Sequence, residues 1–156
     1  MANLVDASLG HWEVDGVDMI GPAWSVLNIQ ALWQGPQVTR SNRVQSGTQG
    51  RKGYPQVVDE TVLSVQFLIV GDVDHTDTPH TDAQIGLALN YDYLRTNVWD
   101  PVDPLRTSTL TMPDGDVREA EVQFDPFPLP SLTGLTTLVG TLTVILPGGY
   151  HRPVGS

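Results

Sequence analysis

The chain has 156 residues, 18 acidic against 8 basic, a formal net charge of −10 and no cysteine. That length suits one domain with a core of its own, and the lack of cysteine excludes disulfides, a thiol nucleophile and thiolate metal sites. No apolar run reaches membrane-spanning length, and the acid excess disfavours specific nucleic-acid binding, which rests on cationic contacts to phosphate. A surface past which DNA slides without adhering remains compatible with that charge.

The first residues, MANLVDASLGHW, carry no basic stretch followed by an apolar one, so no signal peptide is expected and the protein should fold in a cytoplasm. Glycine (15) and proline (12) are frequent and one segment alone reads as helical, which favours a mainly β chain with many turns. In residues 11–19, Asp15-Gly16 between apolar residues signals a hairpin, with a bulge as the alternative. Residues 24–33, WSVLNIQALW, break period two, so a strand with a bulge near Leu27-Asn28 or a short helical turn is expected.

Residues 34–56 are polar, Gly-rich and basic, without periodicity beyond Val38 and Val44. Arg40, Arg43, Arg51 and Lys52 are half of all the basic residues. A connection this long in a compact domain is either used or loose. The expectation is a mobile loop, which could act as an arm ordering on a neighbouring subunit.

The organising stretch is 57–98. Residues 57–70 read as a long strand, with Leu63, Val65, Phe67 and Ile69 on one face and Val62, Leu68 and Val70 on the other. Both faces look apolar towards the end, so cover on both sides is expected, one side by a sheet and the other by the following helix. The helix should start at a capping box, Thr81-Asp82-Ala83-Gln84, and present Leu87, Tyr91, Leu94 and Val98 as its apolar stripe, widened by Ile85, Ala88 and Leu89. It should stop near Asn97, ahead of Asp100-Pro101. Gly86 is either a point of close approach or a tolerated defect costing about 1 kcal/mol of propensity. Between strand and helix, Asp72, Asp74, His75, Asp77, His80 and Asp82 form the one cluster with metal-ligand chemistry. Calcium-loop spacing fails at Thr76, and two histidines lack a third partner, so a solvated turn capping the helix is expected.

Residues 105–112 and 117–124 read as a hairpin around Pro113-Asp114-Gly115-Asp116, with Ala120, Val122 and Phe124 inward and Glu119, Glu121 and Gln123 outward. Residues 125–130, with three prolines, cannot be a central strand. Residues 135–146 form the last strand. Its core face is Leu138, Leu142, Val144 and Leu146, and Thr137, Thr141 and Thr143 with Val139 and Ile145 make an outer face that suits contact with another subunit and equally suits an ordinary sheet face. Residues 147–156 should be a flexible tail.

No nucleophile elbow, phosphate loop, dinucleotide fingerprint or zinc-protease motif is present. The serines lack a local base, the histidines are scattered apart from the pair in the acidic loop, and Glu119/Glu121 read as a wet strand face rather than a glycosidase pair. Trp12, Trp24, Trp33 and Trp99 read as core or interface aromatics, with a sugar site as the alternative. No catalytic residue, cofactor or metal is assigned, and an enzyme is the least expected class.

Several segments together resemble the short distal tail (minor tail) proteins of long-tailed actinobacterial phages. They are Arg51-Lys52-Gly53-Tyr54-Pro55 before a long strand ending in Val70-Gly71, then Asp72-Val73-Asp74, Ala83-Gln84-Ile85-Gly86-Leu87, Asn90 and Leu94. The turn Met112-Pro113-Asp114-Gly115 and the ending Gly140-Thr141-Leu142-Thr143-Val144 with Leu146-Pro147-Gly148-Gly149 complete the pattern. The likeness spans residues 47–149, and the basic run before the strand is thinner here than in that family.

The resemblance implies a tail-tube-like fold in a single domain, 1–156: mainly β, two packed antiparallel sheets (a β-sandwich, barrel-like) and one flanking α-helix. It implies a structural virion protein in a hexameric ring that joins tail tube to tip complex and lets DNA pass. Its place would be the virion tail, after assembly in the host cytoplasm. Its partners would be its own copies, tube and tip proteins and the unspecifically passing DNA, with no membrane. Arg40, Arg43, Arg51, Lys52 and Tyr54 would form an inter-subunit arm. A tail-tube subunit of the same fold and a carbohydrate-binding β-sandwich are the alternatives. A second, carbohydrate-binding-like domain found in larger distal tail proteins is not expected within this length.

Overall fold

The computed structural model describes residues 9–33, 60–99, 105–125, 131 and 134–154 in full, and residues 38–39, 42–44, 51–53 and 57–58 by backbone pairing. In chain order the strands are β1 (His11–Val14), β2 (Val17–Asp18), β3 (Trp24–Val26), β4 (Val38–Thr39), β5 (Asn42–Val44), β6 (Arg51–Gly53), β7 (Val57–Val58) and β8 (Thr61–Val70). The helix α1 (Ala83–Asn97) follows, then β9 (Arg106–Thr111), β10 (Val117–Asp125), β11 (Thr137–Leu146) and β12 (Arg152–Pro153). The chain is mainly β with one α-helix, as its composition implies.

The main sheet runs β2-β1-β9-β10-β11-β8-β3, with β12 added beside β10, and every pairing is antiparallel. The two layers are continuous through β10, whose residues 117–122 pair with β9 and whose residues 123–125 pair with β11. The ends of the path are stitched together as well. The Met19 amide donates to the Trp12 carbonyl and the Val26 amide to the Met19 carbonyl, and Ile20 bridges Ser25. The sheet therefore curls around one core, into which Trp12, Val14, Phe67, Leu110, Val122, Leu142 and Val144 project with no exposed surface.

Asp15-Gly16 makes the hairpin rather than a bulge. Both residues have positive φ, 49° and 81°, the type I′ geometry that matches strand twist. The Asp15 carboxylate then ties the turn to β9 by accepting from the Thr107 amide (2.9 Å) and from Arg106 (3.2 Å). After β3 the chain takes a short 3-10 helix, Ile29–Trp33, burying Ile29 and Leu32. The broken period at 27–28 thus marks the end of a strand and the start of a helical turn.

In β8 the alternation holds: Leu63, Val65, Phe67 and Ile69 are buried, each stabilising the fold by about 1.5–3 kcal/mol. Cover on both faces does not hold. Val62 is 58% exposed, Ser64 and Gln66 are exposed, and Leu68 and Val70 are half-buried. The helix packs on the same side as the curled sheet. Trp99, just beyond its end, meets Phe67 edge-on at 6.0 Å and Tyr91 at 6.0 Å.

The cap is Asp82, not Thr81. Asp82 is extended (φ −130°, ψ 117°) and its carboxylate accepts from the Gln84 and Ile85 amides. Leu87, Tyr91, Leu94 and Val98 are buried as expected, whereas Ile85, Ala88 and Leu89 are exposed. The contact stripe is narrower because Gly86 and Asn90 complete it.

In 34–56, expected as a mobile loop, the backbone pairs β5 with β6 and supplies β4, whose partner is β7; Val57–Val58, expected to begin the long strand, thus belong to a separate pair and the strand β8 starts at Thr61. Residues 151–154, expected as part of a flexible tail, place β12 on β10 and bury His151 at 4% exposure. The proline-rich 126–130 and Asp100-Pro101 lie outside the described residues.

Candidate functional site

The outer face of the curled sheet divides into two halves. On β8 and β11 the paired positions are Val62–Ile145, Ser64–Thr143, Gln66–Thr141, Leu68–Val139 and Val70–Thr137. None of these side chains is charged, and Val62 and Val139 are each 58% exposed. The backbone alternates, so these are the side chains left when the core face turns inward. Such cross-strand Val/Thr pairs stabilise the sheet locally and present an apolar strip bearing hydroxyls.

The other half is acidic. Glu121 stands opposite Thr107 and Glu119 opposite Thr109, on the strand pair where Ser108 and Leu110 face the core. Thr109 is opposite Glu13, and Glu13 opposite Asp18. Arg152, opposite Glu119, and His11, beside Glu13 and Asp18, are the basic groups on this face among the described residues. The sequence placed Glu119 and Glu121 outward, and the fold adds Glu13 and Asp18 to them.

Of the residues assigned to an inter-subunit arm, Arg43 and Lys52 occupy opposite positions of the β5–β6 pair, and Arg51 pairs with Val44. Arg40 and Tyr54 lie outside the described residues. The register places Arg43, Arg51 and Lys52 along one antiparallel pair rather than strewn through a loop.

The acidic loop 72–82 is committed to its own turns. The Asp74 carboxylate accepts from the Thr76 amide (2.8 Å), the Thr76 hydroxyl (2.7 Å) and the Thr78 amide (3.0 Å). These bonds, the Thr76 hydroxyl's first, hold its carboxyl below the usual carboxylate range. Asp82 caps the helix. Among the described residues, no group of three or more His, Asp or Glu side chains is arranged to hold a metal ion.

The loop also closes a joint between strand and helix. The Asn90 amide donates to the carbonyls of Val70 (2.6 Å) and Val73 (2.8 Å), and its oxygen accepts from His80 Nε2 (3.2 Å). A Cβ on Gly71 would collide with the Ala83 carbonyl and lie 2.7 Å from the Leu87 nitrogen. A Cβ on Gly86 would collide with the Gly71 carbonyl and lie 2.6 Å from the His80 ring. Gly86 is therefore a point of close approach and not a defect.

A serine and a base that the sequence leaves far apart do meet. Ser108 Oγ lies 2.7 Å from His151 Nε2 and accepts from the Trp12 indole (2.8 Å). Ser108 Oγ and His151 Nε2 share a hydrogen bond whose donor is set by the tautomer of the ring. Ser108 is fully buried and His151 is 4% exposed, so substrate has no access. The arrangement fastens the C-terminal strand to the core. Trp12, Trp24 and Trp99 are likewise at most 3% exposed.

No family model and no curated protein matches the chain. Solved structures do. One is the crystal structure of the SPP1 Dit protein, described as a paradigm of the hub adsorption apparatus in phages infecting Gram-positive hosts. The likeness has 16% sequence identity and a TM-score of 0.46, over 88% of this chain and 49% of that one. The chain thus spans about half the length of that protein.

Proposed function

We propose that this chain is a structural, non-enzymatic protein of a bacteriophage tail. In this reading it forms the distal ring that joins tail tube to tip complex and through which DNA leaves. The observation that carries the reading is the divided outer face: an exposed, uncharged strip on β8 and β11 beside an acidic half on β1, β9 and β10. The uncharged strip suits contact with another copy, because burying it strands no charge. Repeated head to tail around an axis, such a contact closes into a ring, hexameric by the family resemblance. The acidic half, turned to the lumen, repels phosphate and keeps DNA moving. The hairpin 38–58 reaches the next subunit or ring. A tail-tube subunit would use the same faces and differ in stacking indefinitely.

Light scattering with negative-stain imaging tests this reading. Rings with a central hole and a hexameric mass are expected, and Val62→Glu with Val139→Glu should yield folded monomers. Continuous tubes would select the tube subunit. A monomer at every concentration, with the double variant behaving identically, would overturn the ring.

A further inference from the structure

On the side of the molecule where β1–β2 faces the helix, a cavity of about 300 Å³ opens between Asp18, Gly21, Pro22, Trp24, His75 and Tyr93. Three of these are aromatic rings in near-parallel planes. Tyr93 lies 5.5 Å from Trp24 at 24° and 4.3 Å from His75 at 20°, and Trp24 lies 6.3 Å from His75 at 20°. They come from α1, β3 and the loop after β8, so the wall is assembled by the tertiary fold. Trp24 is fixed edgewise by its indole N–H donating to the Asp18 carbonyl at 2.8 Å.

The Asp18 carboxylate supplies the opposite chemistry. Its Oδ1 accepts from the Ile20 amide (3.0 Å) and faces His11 Nε2 (3.1 Å), and Glu13 adds a second negative charge next to it. The side chain is 51% exposed. Burial holds its carboxyl above the usual range, and the Ile20 amide and His11 offset this only in part. Asp18 thus lines the cavity together with the three rings.

We propose that this cavity binds a guanidinium group, stacked on the aromatic wall and hydrogen-bonded to the Asp18 carboxylate. A planar cation matches both components: it is attracted to ring faces and pairs with a carboxylate through directed N–H bonds. An ammonium meets the charge but not the flat wall. A sugar would stack on the rings but finds one carboxylate where several polar groups are wanted. The arginine has two possible sources, the basic hairpin of a second copy, which holds Arg43 and Arg51, or an arginine on another tail protein. The first source rests on the ring reading above, whereas the cavity's chemistry does not.

The test is titration of the ¹⁵N-labelled full chain with N-acetyl-arginine amide, read at the Trp24 indole N–H. A saturable shift is expected, about tenfold weaker in Asp18→Asn and in Tyr93→Ala. The citrulline analogue, equal in shape and uncharged, should give none. An equal response to citrulline, saturation by a simple sugar instead, or an unchanged affinity in a well-dispersed Asp18→Asn spectrum would overturn the proposal. A synthetic 38–58 peptide, compared with the same peptide carrying citrulline at 43 and 51, separates the sources: selective binding of the first assigns the site to a second copy. Arginine binding by a chain that stays monomeric would sink the ring reading and leave this one standing.

Discussion

Acidification should weaken this fold through His151 in a way that can be measured. The ring is buried, and burial is the main reason its pKa is pushed down to about 4; the nearby Arg118 charge adds to this and the Leu32 backbone opposes it. In the unfolded chain a histidine titrates near ~6.5. The folded value lies below the unfolded one, so between about pH 6.5 and 4 the unfolded state binds the extra proton and stability falls with pH. The full contribution is present above that window. A gap of roughly 2.5 units at ~1.36 kcal/mol per unit gives about 3 kcal/mol in total, of which about 2.5 kcal/mol is lost between pH 7.5 and 4.5. Against a typical domain stability of ~5–15 kcal/mol, that is a large share. Urea unfolding followed by tryptophan fluorescence, for the native chain and His151→Gln at one protein concentration, isolates it, because carboxylate contributions cancel in the difference. The stability gap between the two should narrow or invert by about 2–3 kcal/mol on acidification. Parallel stability curves from pH 7.5 to 4.5 would refute the reasoning, and with it the neutral buried ring.

Other perturbations address the joint between strand and helix. Gly86→Ala should cost about 1–3 kcal/mol or more, because the new Cβ meets the Gly71 backbone, which cannot rotate away as a side chain could; thermal melts of the purified chain report it. Asn90→Ala removes donors from the Val70 and Val73 carbonyls and should cost about 2–3 kcal/mol, with faster amide exchange in the 71–75 backbone. Asp82→Ala should cost about 1 kcal/mol and Asp82→Asn much less, since asparagine still caps; Thr81→Ala should be nearly silent in the same melts.

Local pattern revealed what local physics decides. The alternation in β8, the stripe Leu87–Tyr91–Leu94–Val98 and the inward face of β11 all follow from period and apolarity, and the structure buries those residues. The turn at 113–116 follows from its residues, and the Met112 and Asp116 backbones close it. What stayed hidden depends on distance along the chain. Ser108 and His151 are 43 residues apart, so no spacing rule could join them, and the tail looked loose for that reason. Leu68 and Val70 suggested a second covered face, which only the position of the helix could decide. The cap shifted by one residue because Thr81 and Asp82 both carry capping oxygens, and the extended backbone at Asp82 selects it. The hairpin 38–58 lacks the alternation that marks a half-buried strand, so its pairing left no hydrophobic trace. Several residues that carried the family resemblance, Val70-Gly71, Val73, Gly86 and Asn90, turn out to build the single strand–helix joint.

The pairing of Val38 with Val58 has a geometric consequence. The segment 38–58 carries ladders of its own, β4–β7 and β5–β6, separate from the main sheet. Its length is therefore decoupled from the register of β3 and β8. Residues can be gained or lost in pairs along it while the barrel-like body keeps every hydrogen bond. The length of this segment and the stability of the body become separate variables, open to separate selection and to separate engineering.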